Sequence, residues 1–111
     1  MNWIELNNAD TLTLIREKSF AQPQVIFKHS TRCSISSMAL QRLNRSECPK
    51  EADFYLLDLI QHRAISNAIA EQYDVYHESP QVLVIRNGEC IYDESHNGIS
   101  MDDILEAFQS A

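Results

Sequence analysis

Val25-Ile26-Phe27-Lys28-His29-Ser30-Thr31-Arg32-Cys33-Ser34-Ile35-Ser36 is the stretch that decides how this chain is read. Val25, Ile26 and Phe27 form a short apolar strand, and Lys28 to Thr31 make a polar exit crowded with hydroxyls. From about Cys33 or Ser34 to Asn44, the residues Ile35, Met38, Ala39, Leu40 and Leu43 recur every three to four positions, the spacing of one helical face. A strand therefore runs into a helix with a thiol at the junction. Amides in the first turn of a helix lack intrahelical acceptors, and the aligned peptide dipoles leave partial positive charge there. A thiolate is the natural guest at such a place. With Arg32 and Lys28 as nearby cations, the ordinary thiol pKa of ~8.5 is expected to fall toward ~3.5–7.5, making Cys33 a nucleophile at neutral pH.

Upstream, Asp10 caps a helix that reaches about Phe20, with Leu12, Leu14 and Ile15 on its apolar face and Gln22-Pro23 beyond its end. Downstream, Asn44 to Pro49 closes the second helix, and Phe54-Tyr55-Leu56-Leu57 reads as a central strand covered on both faces. A third helix spans roughly His62 to Tyr73, burying Ile65, Ala68 and Ile69. Val82 to Ile85 and Cys90 to Tyr92 are strands joined by Arg86-Asn87-Gly88-Glu89, whose Asn-Gly pair favours the positive φ of a tight hairpin. The last helix starts at Ser100 with a near capping box and presents Ile104, Ala107 and Phe108. This order predicts an α/β fold of thioredoxin-like layout: a mixed four-stranded sheet in a β-α-β-α-β-β-α core, an extra N-terminal helix, and helices on both faces. The reaction site is expected at the carboxyl end of the first core strand.

The 111 residues fill about one domain, so the whole chain, 1–111, is read as a single unit. Nine basic against sixteen acidic residues, a net charge of −7, is the wrong sign for neutralising phosphates, so neither nucleic acid nor an anionic membrane is an expected partner. No apolar run approaches the ~20 residues of a spanning helix. Met1-Asn2-Trp3-Ile4-Glu5 does not resemble a secretory signal, and a soluble, cytoplasmic protein is the expectation.

The three cysteines, Cys33, Cys48 and Cys90, form no Cys-x-x-Cys pair and no zinc spacing, so no metal site is expected. Position 36, where dithiol oxidoreductases carry a second cysteine, is Ser36. Its hydroxyl can hydrogen-bond a thiolate but cannot close a disulfide, so a mixed disulfide on Cys33 needs an outside thiol to release it. Cys48 lies about fifteen residues along the same helix, ~20 Å away, far beyond disulfide reach. The facing of Cys90 does not follow from the pattern. His77-Glu78-Ser79-Pro80-Gln81 precedes the third core strand in the loop that faces Cys33 in this layout, which makes Pro80 a candidate cis proline and Ser79 a source of backbone groups for an extended substrate. His29 and His77 are candidate proton donors to a departing thiolate, against the commoner role of a hydrogen-bonded structural histidine; His62 and His96 have weaker claims.

Lys28-His29-Ser30-Thr31, Cys33-Ser34-Ile35-Ser36, His77-Glu78-Ser79-Pro80-Gln81, Ile85-Arg86-Asn87-Gly88 and Ser95-His96, in this order and spacing, resemble the YtxJ family of monothiol bacilliredoxins, called BrxC. The resemblance spans the chain from about residue 10. It implies a thioredoxin-like fold and removal of bacillithiol from S-bacillithiolated client proteins, with Cys33 matching the active-site cysteine and bacillithiol or another low-molecular-weight thiol as co-substrate, without a bound cofactor. The chain departs from the family's usual Thr-Cys-Pro-Ile-Ser in having Arg32 for Thr and Ser34 for Pro. Ser34 restores a backbone donor beside the sulfur and gives up the preorganised first turn of proline. Bacillithiol carries the two carboxylates of malate, so Lys28, Arg32 and His29 are candidate counter-charges, and Ser34, Ser36, His77, Ser79 and Pro80 complete the candidate substrate-binding set. The rival readings are a general or glutathione-linked oxidoreductase and a non-catalytic thioredoxin-like binding module. An iron-sulfur glutaredoxin is disfavoured, because Cys33-Ser34-Ile35-Ser36 lacks the glycine of the Cys-Gly-Phe-Ser type.

Overall fold

The two faces of one strand organise the molecule. In the computed structural model, which describes residues 1–109, β2 (Gln24–His29) is buried along its whole length. Val25 and Phe27 point to one face, where Ala39 and Leu43 of α2 (Ser34–Asn44) and Ile104 and Ala107 of α4 (Met101–Phe108) pack. Ile26 points to the other, among Leu12 and Ile15 of α1 (Asp10–Lys18) and Ile65, Ile69 and Tyr73 of α3 (Arg63–Tyr73). Burial on both sides explains why the strand reads as a continuous apolar run rather than an alternation.

β2 pairs in parallel with β3 (Asp53–Asp58) and antiparallel with β4 (Gln81–Arg86), which pairs antiparallel with β5 (Glu89–Ser95). The hairpin between the last two turns at Asn87 and Gly88, with φ of 54° and 78°, the backbone that the Asn-Gly pair anticipates. The turn docks on the end of α1: Asn87 N–H and Gly88 N–H donate to the carbonyl and hydroxyl oxygens of Ser19, each at 2.9 Å. At the start of α4, Ser100 Oγ accepts from Asp103 N–H at 3.2 Å, as its capping position predicts.

The sheet has five strands, not four. β1 (Trp3–Glu5) adds to the outer edge of β3 in parallel, giving the order β1-β3-β2-β4-β5. Three residues are too few to show a period, so nothing in the local pattern marks them as a strand. Packing creates it: the Trp3 ring lies 5.9 Å from that of Phe27 and 6.0 Å, edge-on, from that of Phe54, and its Nε1–H donates to Asn44 Oδ1 at 2.7 Å. α1 also ends at Lys18, two residues before the expected stop, and none of the described helices is long and apolar enough to cross a membrane.

Candidate active site

Because β2 and β3 are parallel and β4 antiparallel to them, the start of α2, the loop after β3 and the loop before β4 gather at one end of the sheet. Cys33 sits there as the N-cap of α2, extended at φ −113° and ψ 121° and partly exposed, with Ser34 as the first helical residue. The Cys33 side chain accepts no hydrogen bond from the first-turn amides, so the thiol stands at the helix start without a cap partner. Arg32 and Ser34 are exposed on either side of it. The Ser79–Pro80 peptide is cis, as anticipated for this loop.

Two members of the candidate set lie where strand geometry, rather than proximity in sequence, puts them. Lys28 belongs to the α3 face of β2 and is fully buried, so it is neither a counter-charge beside Cys33 nor open to a carboxylate from solvent. Its ammonium donates to Ser66 O at 3.2 Å and to His77 Nδ1 at 3.4 Å. Burial, with the Arg63 charge adding to it, pulls its pKa down to about 8. The reason is the period of two: Lys28 and His29 are neighbours in the chain and therefore point to opposite sides of the sheet.

His29 takes the α2 face, stacked on Phe27 with ring centroids 6.0 Å apart and almost buried. Its Nδ1 is 2.6 Å from Ser36 Oγ, and the same oxygen accepts from Ser30 N–H at 3.0 Å. Ser36 Oγ thus bridges the backbone of Ser30 and the ring of His29, joining the strand exit to the first turn of α2. Burial holds His29 below the ordinary histidine range, with Asp58 opposing, in keeping with a neutral ring. Ser36 is fully buried with its oxygen between His29 Nδ1 and Ser30 N–H, so it anchors the strand exit to the helix.

His77 points its Nδ1 inward, 3.2 Å from Ser66 Oγ as well as 3.4 Å from Lys28 Nζ. Burial lowers its pKa first, then the Lys28 and Arg63 charges, with Glu78 opposing. Both candidate proton donors are thus held by structural partners. Three residues outside the candidate set also shape the loop. Ser66, buried on α3 beside Ile65 and Ile69, is marked in sequence only as a small polar residue on an apolar stripe. Gln81, cross-strand from Lys28, donates through Nε2 to Tyr76 O at 2.9 Å. His96, at φ 57°, donates its N–H to Pro80 O at 3.1 Å and its Nε2 lies 3.6 Å from Glu78 Oε2.

The other thiols stand apart from this end. Cys48 follows α2 at its far end. Cys90 lies opposite Ile85, whose other neighbour is Gln24 at the start of β2, and burial pushes its pKa up to about 11. All three cysteines are free.

A family model described as monothiol bacilliredoxin BrxC matches residues 4–104. The chain belongs to that family. Among solved structures, this bacilliredoxin is similar to one described as a proposed oxidoreductase with a thioredoxin fold, at 31% identity and a TM-score of 0.82, over 94% of this chain and 91% of that one. It is also similar in fold to the thioredoxin of Malassezia sympodialis, at 16% identity and a TM-score of 0.72, over 98% and 90% of the two chains. The thioredoxin of Fasciola hepatica matches at 16% and 0.71, over 96% of each. The fold is thioredoxin-like, and this bacilliredoxin is a monothiol thiol-disulfide oxidoreductase acting on thiol and protein substrates.

Proposed function

We propose that this bacilliredoxin removes bacillithiol from S-bacillithiolated client proteins, with Cys33 as the nucleophile. The observation that carries the reading is a partly exposed cysteine at the N-cap of α2, at the same end of the sheet as the Ser79–Pro80 loop, with a buried serine and no thiol at position 36. Cys33 thiolate attacks the bacillithiol sulfur of the client's mixed disulfide. The client–bacillithiol S–S bond breaks, a Cys33–bacillithiol bond forms, and the client leaves as a thiolate that takes a proton from solvent. A second bacillithiol thiolate then attacks the sulfur bound to Cys33, forming bacillithiol disulfide and returning Cys33 as thiolate. One client disulfide is reduced and two bacillithiol molecules leave joined, so electrons balance without a second protein cysteine.

Arg32, exposed and adjacent to Cys33, is the cation placed to meet a malate carboxylate, while the buried Lys28 is not. The backbone of Ser79, next to the cis peptide before Pro80 and just ahead of β4, is the edge along which a client segment can pair. Intact mass tests the reading: a bacillithiolated model protein incubated with the wild type should lose its adduct, and bacillithiol should appear on the enzyme. Cys33→Ala should remove the client adduct at least a hundredfold more slowly and carry none itself. Transfer by the wild type from glutathionylated but not bacillithiolated clients would overturn it in favour of a glutathione-linked enzyme.

A further inference from the structure

The loop before β4 is tied down at almost every residue, and from both sides of the sheet. Tyr76 O accepts from Gln81 Nε2, and His77 Nδ1 faces Lys28 Nζ and Ser66 Oγ. On the other side, Glu78 Oε2 meets His96 Nε2, and Pro80 O accepts from His96 N–H. Among the described residues, Ser79 alone in this loop makes no such bond to the framework, and its buried Oγ has no partner. At the centre of the α3-side anchorage is a fully buried ammonium whose donors go to Ser66 O and His77 Nδ1. Beside it, Gln81 Oε1 is a buried acceptor without a partner, on the residue directly across the strand pair. A buried cation is unfavourable in itself, and an apolar side chain would fill the same position between two strands more readily.

We propose that Lys28 is a positioning residue for the exchange reaction: through His77, its buried ammonium fixes the 76–80 loop so that Ser79 presents its backbone to an extended client segment at the Cys33 end of the sheet. The proposal rests on the client-docking reading above and adds the residues that hold the docking edge in place. The anchorage needs His77 Nδ1 free to accept. The groups around that ring are Lys28 from β2, Arg63 and Ser66 from α3, and Glu78 from its own loop, with Glu71 and Asp74 lining the shallow hollow outside it. Two cations on the inner side oppose protonation at neutral pH. Acidification below the ordinary histidine range should put a proton on Nδ1, set it against the ammonium, and loosen the loop.

Steady-state kinetics on a bacillithiolated cysteinyl peptide, run in parallel with the same peptide glutathionylated, separates positioning from chemistry and from fold. Lys28→Met and His77→Ala should each raise KM for the peptide about tenfold while kcat changes less than twofold. His77→Asn, which offers a neutral side-chain oxygen near the place of Nδ1, should bring KM back to within about threefold of wild type. The wild-type KM should rise between pH 6.5 and 5, and that rise should be absent in His77→Asn. A KM unchanged in Lys28→Met, a kcat that falls as far as KM rises, or His77→Asn behaving like His77→Ala would overturn the proposal. Should Lys28→Met fail to fold, the two His77 variants and their pH profiles decide it. Failure of the bacillithiol reading looks different: it appears in the wild type and is confined to the bacillithiolated peptide.

Discussion

Lys28 and His29 end the same strand one residue apart, and each founds a polar cluster on its own side of the sheet. On the α2 side, His29, Ser36 and Ser30 N–H share two short hydrogen bonds and carry no formal charge when the ring is neutral. On the α3 side, Lys28, His77, Ser66 and Gln81 surround a cation and leave an acceptor on Gln81 unpartnered. The first cluster is compact, satisfied and fixes the joint that carries Cys33. The second is incompletely paired and fixes the loop that carries Ser79 and Pro80. A closed neutral network contributes rigidity, whereas a buried ammonium contributes a charge whose worth depends on pH and on what it holds.

The comparison breaks most readily at Ser36. Ser36→Ala leaves both His29 Nδ1 and Ser30 N–H without their partner in a buried site, and should lower the unfolding free energy by about 2–4 kcal/mol in a urea titration. Loss of less than about 0.5 kcal/mol would mean that the α2-side cluster is not the satisfied one. The α3 side should respond to alkali instead. Folding lowers the Lys28 pKa from 10.5 to about 8, so between those values the unfolded chain binds more protons than the folded one and stability rises with pH. The slope is at most about 1.4 kcal/mol per pH unit, and Lys28→Met should lack this contribution when melting is followed from pH 8 to 10.5.

Acid acts on both sides. His29 and His77 are both held below the usual histidine range, so the stability each contributes is complete above about pH 6.5 and is lost as the pH falls through its folded value. His77→Asn should therefore remove one part of the acid sensitivity and leave the His29 part. The smallest effect belongs to the exposed cation. Arg32→Glu should slow turnover with bacillithiol about threefold to tenfold more than turnover with a neutral thiol, and the difference should shrink in high salt. Equal slowing of the two thiols would remove Arg32 from the carboxylate contact.

What was legible in the sequence is what local sterics and periodicity control. The strand Val25 to Phe27, the helix starting after Cys33, the Asn87-Gly88 turn and the Ser100 cap each follow from a few contiguous side chains and their preferred backbone angles. The cysteine's position at a helix start and the serine at 36 followed with them, and so did the absence of a local resolving thiol. Tertiary structure decided the rest. A strand buried on both faces shows no alternation, so nothing in the chain says that Lys28 turns toward α3 and His29 toward α2. β1 exists because Trp3 finds Phe27, Phe54 and Asn44, residues far along the chain, and His96 gains its place by meeting Pro80 and Glu78 across the end of the sheet. Where a thiol sits on a helix is a matter of neighbouring residues; which face a buried polar side chain serves is a matter of partners that only the folded sheet brings within hydrogen-bond distance.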